Sequence, residues 1–428
     1  MIMLVTFGLL LLLIGLTIPV AAALGILGLA LDEIFSVMPL RNALGNILWS
    51  SSIEFLLVAI PMFILLGEII LRARIAGRMY AAMAQWFSWL PGGLMHSNIG
   101  SSALFAATSG SSIATAATVG TVAVPEMDRH GYNRRLFLGS LAAGGTLGIL
   151  IPPSMGFILY GLLTNTSVPQ LYLAGLIPGL ALAGLFMAMI SVLCMVRPGW
   201  SGAKVETDWR RRIESLPDLV PPLVIFAMVV GSIYAGLATP TEAAALGVVG
   251  ALGLALMHGE LNLRMLRDAV EGTMRTTAMI IIIVLAAAFL NFVLAMIGLA
   301  SGLQSFVRGL DLSPLAILLV VIAIYLVLGC FMESMSMLIL TTPIVVPMIT
   351  AIGYDPVWFG VVMMILLEAA LITPPIGMNL FVVHSLQKKG SLQDVALGAM
   401  PFFLAMLAML VLLICFPQIA LWLPRLLY

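Results

Sequence analysis

The chain has 428 residues, of which 62% are hydrophobic and only 9% charged, and its 19 basic and 19 acidic side chains cancel. An ordinary soluble domain carries about 25% charged residues, and a mean hydropathy of +1.17 lies far to the apolar side of that. This balance excludes a soluble enzyme, a disordered chain and a nucleic-acid binder, which needs a basic face, and leaves a polytopic membrane protein. Cys194, Cys330 and Cys415 lie far apart and suggest neither a disulfide framework nor a metal site. His96, His130, His258 and His384 show no ligand spacing.

The first run, MIMLVTFGLLLLLIGLTIPV, lacks a basic n-region and a cleavage site, so it reads as a crossing and not as a signal peptide. A helical span takes about 20 mostly apolar residues. Apolar blocks fall at 2–17, 18–31, 52–71, 94–127, 135–164, 171–196, 219–237, 241–257, 276–299, 314–349, 357–386 and 398–423. Blocks 94–127 and 314–349 are too long for one crossing, and each has a polar cluster at its middle: Ser109-Gly110-Ser111-Ser112 and Glu333-Ser334-Met335-Ser336. Both are expected to be re-entrant hairpins, which leaves ten full crossings and both termini outside. Sixteen Lys and Arg residues then fall inside and only Arg41, Arg308 and Arg425 outside, the bias that short cytoplasmic loops carry. The longest hydrophilic loop, 198–218, is too short for a domain, so residues 1–428 are expected to form one membrane domain. No G-x-x-x-x-G-K-[ST] phosphate loop occurs, which excludes ATP hydrolysis by the chain itself.

Sliding the chain on itself by 222 residues aligns the two hairpins without a gap. Between Ser112 and Pro153, eight of 42 positions match, among them Pro125/Pro347, Gly131/Gly353, Tyr132/Tyr354, Pro152/Pro374 and Pro153/Pro375. Five crossings separate the hairpins, so the repeats, 52–196 and 276–423, are expected to be inverted, the architecture of many secondary transporters. Crossings 135–164 and 357–386 are expected to break mid-membrane at their Pro-Pro pairs, because proline removes a donor and clashes with the preceding turn. Carbonyls freed there are tolerable only where they line a cavity or meet an ion. Each break should face the polar tip of its own hairpin.

Glu68, Glu333 and Glu368 are the acids at membrane depth, with Glu54 and Glu242 nearer the outer boundary. Glu68 precedes Arg72 by four residues, which suits a pair; Glu333 suits a cavity, and Glu368 fits a cavity or helix packing equally. No Lys or Arg falls at the midplane, so an anionic substrate would be held by helix N-termini, hydroxyls and bound cations. The stretches Arg72–Trp89 and Ala300–Leu312 have the Arg and Trp of helices lying in the interface, as braces for a fixed scaffold.

Four segments carry a family resemblance: Ala59 to Glu68, Ser109 to Gly120, Gly144 to Ser154 and Leu371 to Phe381. Through them the chain resembles, over its whole length, the large membrane subunit of tripartite ATP-independent periplasmic (TRAP) transporters of the dicarboxylate-permease type. The resemblance implies an all-α, inverted-repeat, elevator-type sodium symporter for a carboxylate-bearing solute such as a dicarboxylate or sialic acid. It further implies a place in the bacterial inner membrane and work with a small four-helix membrane subunit and a periplasmic solute-binding protein. The small subunit is expected as a separate chain, and no cofactor is expected beyond sodium as coupling ion. By motif, the first sodium site implicates Ser109, Ser112, Gly148, Ile151 and Pro153. The second implicates Gly329, Glu333, Ser334, Thr373, Ile376 and Gly377, with Glu333 standing where the family often has Asp. Gly110, Ser111, Ser154, Pro374, Pro375, Met378 and Asn379 would line the substrate cavity. The alternatives are a stand-alone divalent-anion/sodium symporter of related architecture and, more remotely, a membrane scaffold or an intramembrane enzyme.

Overall fold

Apolar runs become helices that stop where Gly and Pro punctuate them. A computed structural model describes residues 2–16, 18–36, 38–73, 75–203, 208–299, 302, 313–387 and 390–428. Among these residues there are twenty α-helices and no strand. The first half contains α1 (Ile2–Gly15), α2 (Val20–Phe35), α3 (Leu44–Ser52), α4 (Ala59–Arg72), α5 (Ala76–Phe87), α6 (Leu94–Ser109), α7 (Ser112–His130), α8 (Arg134–Leu150), α9 (Met155–Thr164) and α10 (Val168–Val196). The second contains α11 (Trp209–Ser215), α12 (Val220–Tyr234), α13 (Pro240–Met257), α14 (Leu263–Met296), α15 (Pro314–Gly329), α16 (Ser334–Ala351), α17 (Pro356–Ile372), α18 (Met378–Ser385), α19 (Leu392–Cys415) and α20 (Gln418–Leu427).

Seven described helical stretches are long and apolar enough to cross a membrane, or eight if 209–218 and 220–234, bent by 45°, count as one. Length therefore does not reproduce all ten expected crossings. Pro19 cuts the first apolar stretch into α1 and α2, of 14 and 16 residues, and Pro374-Pro375 ends α17 after 17. Conversely α16, expected as a hairpin arm, has 18 residues and qualifies. Hydropathy blocks overstate a helix wherever proline ends it early.

α8 is the centre of the bundle. It packs against α6 and α7 on one side and α10, α17, α18 and α19 on others, and residues 136–150 are all buried. Near its first turn it meets α19 backbone to backbone: a methyl on Gly139 would lie 1.9 Å from the Gly398 carbonyl oxygen. Arg135 Nε donates to Asp394 Oδ1 at 2.8 Å just beyond that contact. A second group, α2, α4, α13 and α14, packs together and touches α6 and α9 through α4.

The amphipathic stretch 72–89 supplies α5, tied to the first hairpin by a buried polar chain. Tyr80 donates to Asn98 Oδ1 at 2.8 Å, and Asn98 Nδ2 donates to Ser140 Oγ at 2.8 Å. This brace therefore grips α6 and α8. Its expected counterpart, 300–312, lies outside the described residues except for Gly302, as do Arg74, Lys204, Arg308, Lys388 and Lys389.

Candidate functional site

The break between α6 and α7 occupies two residues. Gly110 closes α6 with φ +61°, the left-handed region that glycine enters without a Cβ penalty. It is also pressed against the broken helix, since a methyl there would lie 2.6 Å from the Pro153 carbonyl oxygen. Ser111 caps α7 through the Ala114 amide. Ser112 Oγ donates to the Thr146 carbonyl at 3.0 Å. A methyl on Gly148 would lie 2.7–2.8 Å from the Ser111 carbonyl group and the Ser112 nitrogen. Ser109 Oγ lies 3.3 Å from Thr115 Oγ1, which donates to the Ser111 carbonyl at 2.6 Å. At the break of α8, Ile151, Pro152, Pro153 and Ser154 are all buried. The Ser154 hydroxyl donates to the Ile149 carbonyl, and Tyr172 donates to the Ser154 carbonyl at 3.4 Å. Thus Ser109, Gly110, Ser111 and Ser112 come together with Gly148, Ile151, Pro153 and Ser154.

Two helix C-termini, of α6 and α8, and two N-termini, of α7 and α9, converge there. The C-terminal ends offer carbonyls and partial negative charge, and the N-terminal ends offer amides and partial positive charge. Such a place suits a small cation on one side and an anion on the other.

The second tip repeats part of this geometry. Ser334 Oγ donates to the Leu367 carbonyl at 3.1 Å, a bond like that of Ser112 to Thr146 but one residue out of register under the 222-residue shift. A methyl on Gly329 would lie 2.7 Å from Ala370 Cβ. Thr373 donates to the Ala369 carbonyl of its own helix at 2.6 Å and accepts from the Gly377 amide at 3.0 Å through its carbonyl. Pro152–Pro153 and Pro374–Pro375 are both cis.

Three of the expected residues have further contacts or surroundings here. The Glu333 carboxylate caps α16, accepting the Met335 and Ser336 amides at 2.9 Å each, one on each oxygen. Asn379 reaches α8, donating to the Ala142 carbonyl at 3.1 Å, which joins it to the first broken helix. Pro374, Pro375 and Ile376 are exposed, Met378 is half-buried and only Gly377 and Asn379 are buried, so the second break does not line an enclosed cavity.

Other placements follow the chemistry of each residue. Glu68 pairs with Arg72 as its spacing predicts. Glu242 completes a capping box with Thr239 at the start of α13. A crevice of about 790 Å³ opens where α3, the α9–α10 turn, α13 and α14 meet, lined by Ser50, Ser51, Glu54, Asn165, Thr166 and Asn291 among others. It holds none of the residues singled out by motif, and no local sequence signal marks it. Among the described residues, no three His, Cys, Asp or Glu side chains cluster as metal ligands.

Residues 7–419 match the family described as tripartite ATP-independent periplasmic transporter, DctM component. The chain is 32% identical over 439 residues to the C4-dicarboxylate TRAP transporter large permease protein DctM of Rhodobacter capsulatus, covering 99% of each. It is 31% identical over 416 residues to the isethionate TRAP transporter permease protein DctMQ of Oleidesulfovibrio alaskensis, covering 97% of this chain and 65% of that one. It is 33% identical over 376 residues to the sialic acid TRAP transporter large permease protein SiaM of Vibrio cholerae, covering 87% of each. The crystal structure of the Alcanivorax borkumensis YdaH transporter superposes with a TM-score of 0.64 at 14% identity, over 97% of this chain and 99% of that one, a likeness of fold alone.

Proposed function

We propose, from the premise that this chain belongs to the DctM family of TRAP transporter large permeases, which are membrane transporters and not enzymes, that it carries out sodium-coupled uptake of a carboxylate-bearing solute. The observation that supports this reading best is the pair of tip-to-break hydrogen bonds, Ser112 to Thr146 and Ser334 to Leu367, each joining the start of a hairpin's second helix to a broken helix. In this reading 94–127 and 314–349 are re-entrant hairpins, and the repeats 52–196 and 276–423 are inverted. Both termini are periplasmic. The hairpins and broken helices move as an elevator against the α2, α4, α13 and α14 group.

Ser109, Ser112, Gly148, Ile151 and Pro153 would take one sodium ion. Thr373, Ile376 and Gly377, with the tip from Gly329 to Ser334, would take a second, mostly through backbone oxygens. The anion would lie between the tips, toward the amide-rich starts of α7 and α9. C4-dicarboxylates and sialic acid, both carboxylates, appear in two relatives' names and isethionate, a sulfonate, in a third, and a separate small membrane subunit and a periplasmic binding protein would act as partners.

Reconstitution into liposomes tests the reading. With the small subunit and the loaded binding protein, an inward sodium gradient should drive uptake, whereas the chain alone should transport little. Full uptake by the isolated chain would favour a stand-alone symporter. Equal drive by a proton gradient in the absence of sodium would remove the ion assignment.

A further inference from the structure

Glu368 is fully buried, with 0% of its surface exposed. Neither of its carboxyl oxygens has a hydrogen-bond partner. The backbone of Leu150, in the last turn of α8, points toward it as a donor would, without completing a hydrogen bond. Glu368 therefore stands on α17 of one half and faces the C-terminal end of the broken helix of the other.

No described group nearby offers a positive charge. Of the helices packed against α17, α8 carries Arg134 and Arg135 in its first turn, at the far end from Leu150. α18 carries His384 in its last turn, and Arg425 of α20 lies 4.0 Å from Asp355, the cap at the opposite end of α17. The remaining titratable groups are acids, thiols or hydroxyls. Tyr160 of α9 donates to the Pro356 carbonyl and Tyr172 of α10 to the Ser154 carbonyl. Tyr325 of α15 shares a hydrogen bond with Thr341, Cys330 donates to the Leu326 carbonyl, and Glu333 caps α16. Cys194 of α10 sits near the opposite end of its helix from Tyr172. Asp394 and Cys415 stand at the two ends of α19.

An ionised carboxylate in such a place would have no counter-charge and no completed hydrogen bond, a burial that proteins avoid by neutralising the group. We propose that Glu368 is a proton-binding site, separate from the two sodium sites, whose proton is held while α8 and α17 stay packed and exchanges with water only when they part. Glu368 lies five residues before Thr373, and Leu150 supplies none of the proposed sodium ligands. The inference rests on the transport reading only for its effect on uptake.

The test pairs infrared spectroscopy with uptake, on the full chain reconstituted with its small subunit. The wild type should show a deuterium-sensitive stretching band of a protonated carboxyl group. The band should vanish in Glu368→Gln and shift in Glu368→Asp. Asp32 is a buried acid already bonded to the Leu40 and Arg41 amides, so subtraction of the Gln variant isolates Glu368. A wild type without the band, or a band unchanged in Glu368→Gln, overturns the proposal. In uptake, the wild type should lose activity as pH rises, and Glu368→Gln, which mimics the neutral acid, should retain at least half the activity with that alkaline decline flattened. A folded Glu368→Gln inactive at every pH overturns the proton assignment. If Glu368→Gln fails to fold, the pH titration of the wild-type band together with its shift in Glu368→Asp decides. The band alone, with no uptake under any condition, supports the proton site and counts against the transport reading only.

Discussion

The two tip-and-break regions have related sequences and opposite surroundings. Ile151 to Ser154 are buried, and α10 lies close over the break: a methyl on Gly175 would come 2.8 Å from the Leu150 carbonyl, and one on Gly179 2.9 Å from Ile151. Pro374 to Ile376 are exposed. The 222-residue shift sets α19 where α10 stands, but Leu397 and Pro401 replace Gly175 and Gly179, and α19 packs chiefly on α8. Close approach of a covering helix needs glycine, and only one copy has it. Repeated motifs therefore specify the break, whereas residues outside the motifs specify whether it is enclosed.

The largest effect should come from chemical access. In a background where Cys194, Cys330 and Cys415 are Ser, Ile376→Cys should react with a small thiol reagent about a hundredfold faster than Ile151→Cys, as expected if the enclosed break must open locally at a cost near 3 kcal/mol. Equal rates would erase the distinction between the two regions. Next, Gly148→Ala pushes a methyl into the backbone of Ser111 and Ser112, so sodium-driven uptake should fall about tenfold or more. Gly377→Ala meets Leu371 O at 2.9 Å and Thr373 N at 3.0 Å, but Gly377, though buried, directly follows the exposed run Pro374 to Ile376, which has room to shift, and uptake should fall only about two- to threefold. A reversed order would place the tighter constraint at the second break. The smallest effect concerns single hydroxyls. Ser112→Ala removes a buried bond worth about 1 kcal/mol and should raise the half-saturating sodium concentration about fivefold. Thr373→Val, whose hydroxyl already bonds its own helix, should change it by about twofold or less. A larger effect for Thr373 would show that its hydroxyl leaves Ala369 to meet the ion.

The sequence makes the breaks legible because proline and glycine act locally. The pairs Pro152-Pro153 and Pro374-Pro375, and the Gly110 turn, stop helices whatever surrounds them. Ser112 and Ser334 are legible as a matched pair through the shift that aligns their repeats. The role of Glu333 was readable from its place directly before a helical run, since an acidic side chain there can accept amides of the first turn, although its depth suggested a cavity. By contrast, the Asn379–Ala142 bond joins residues 237 apart, and the Tyr80–Asn98–Ser140 chain spans three helices. Pairings of that kind depend on how helices stack, and local pattern does not encode them. The burial of Glu368 was equally silent, because an acid one and a half turns before a break reads the same whether it faces water or another helix.

The backbone contact between Gly139 and Gly398 is placed to serve as a fulcrum for any tilt between the two helices. It leaves no space for a methyl on either helix, and the Arg135–Asp394 pair pins the same end. A beam held near one end swings most at the other. Ile151 lies twelve residues beyond Gly139, about 18 Å along the helix axis, so a tilt of ten degrees between α8 and α19 would displace the break by roughly 3 Å while the Arg135 end hardly moved. Small angular play at one end of the bundle would thus become ångström-scale travel at the site.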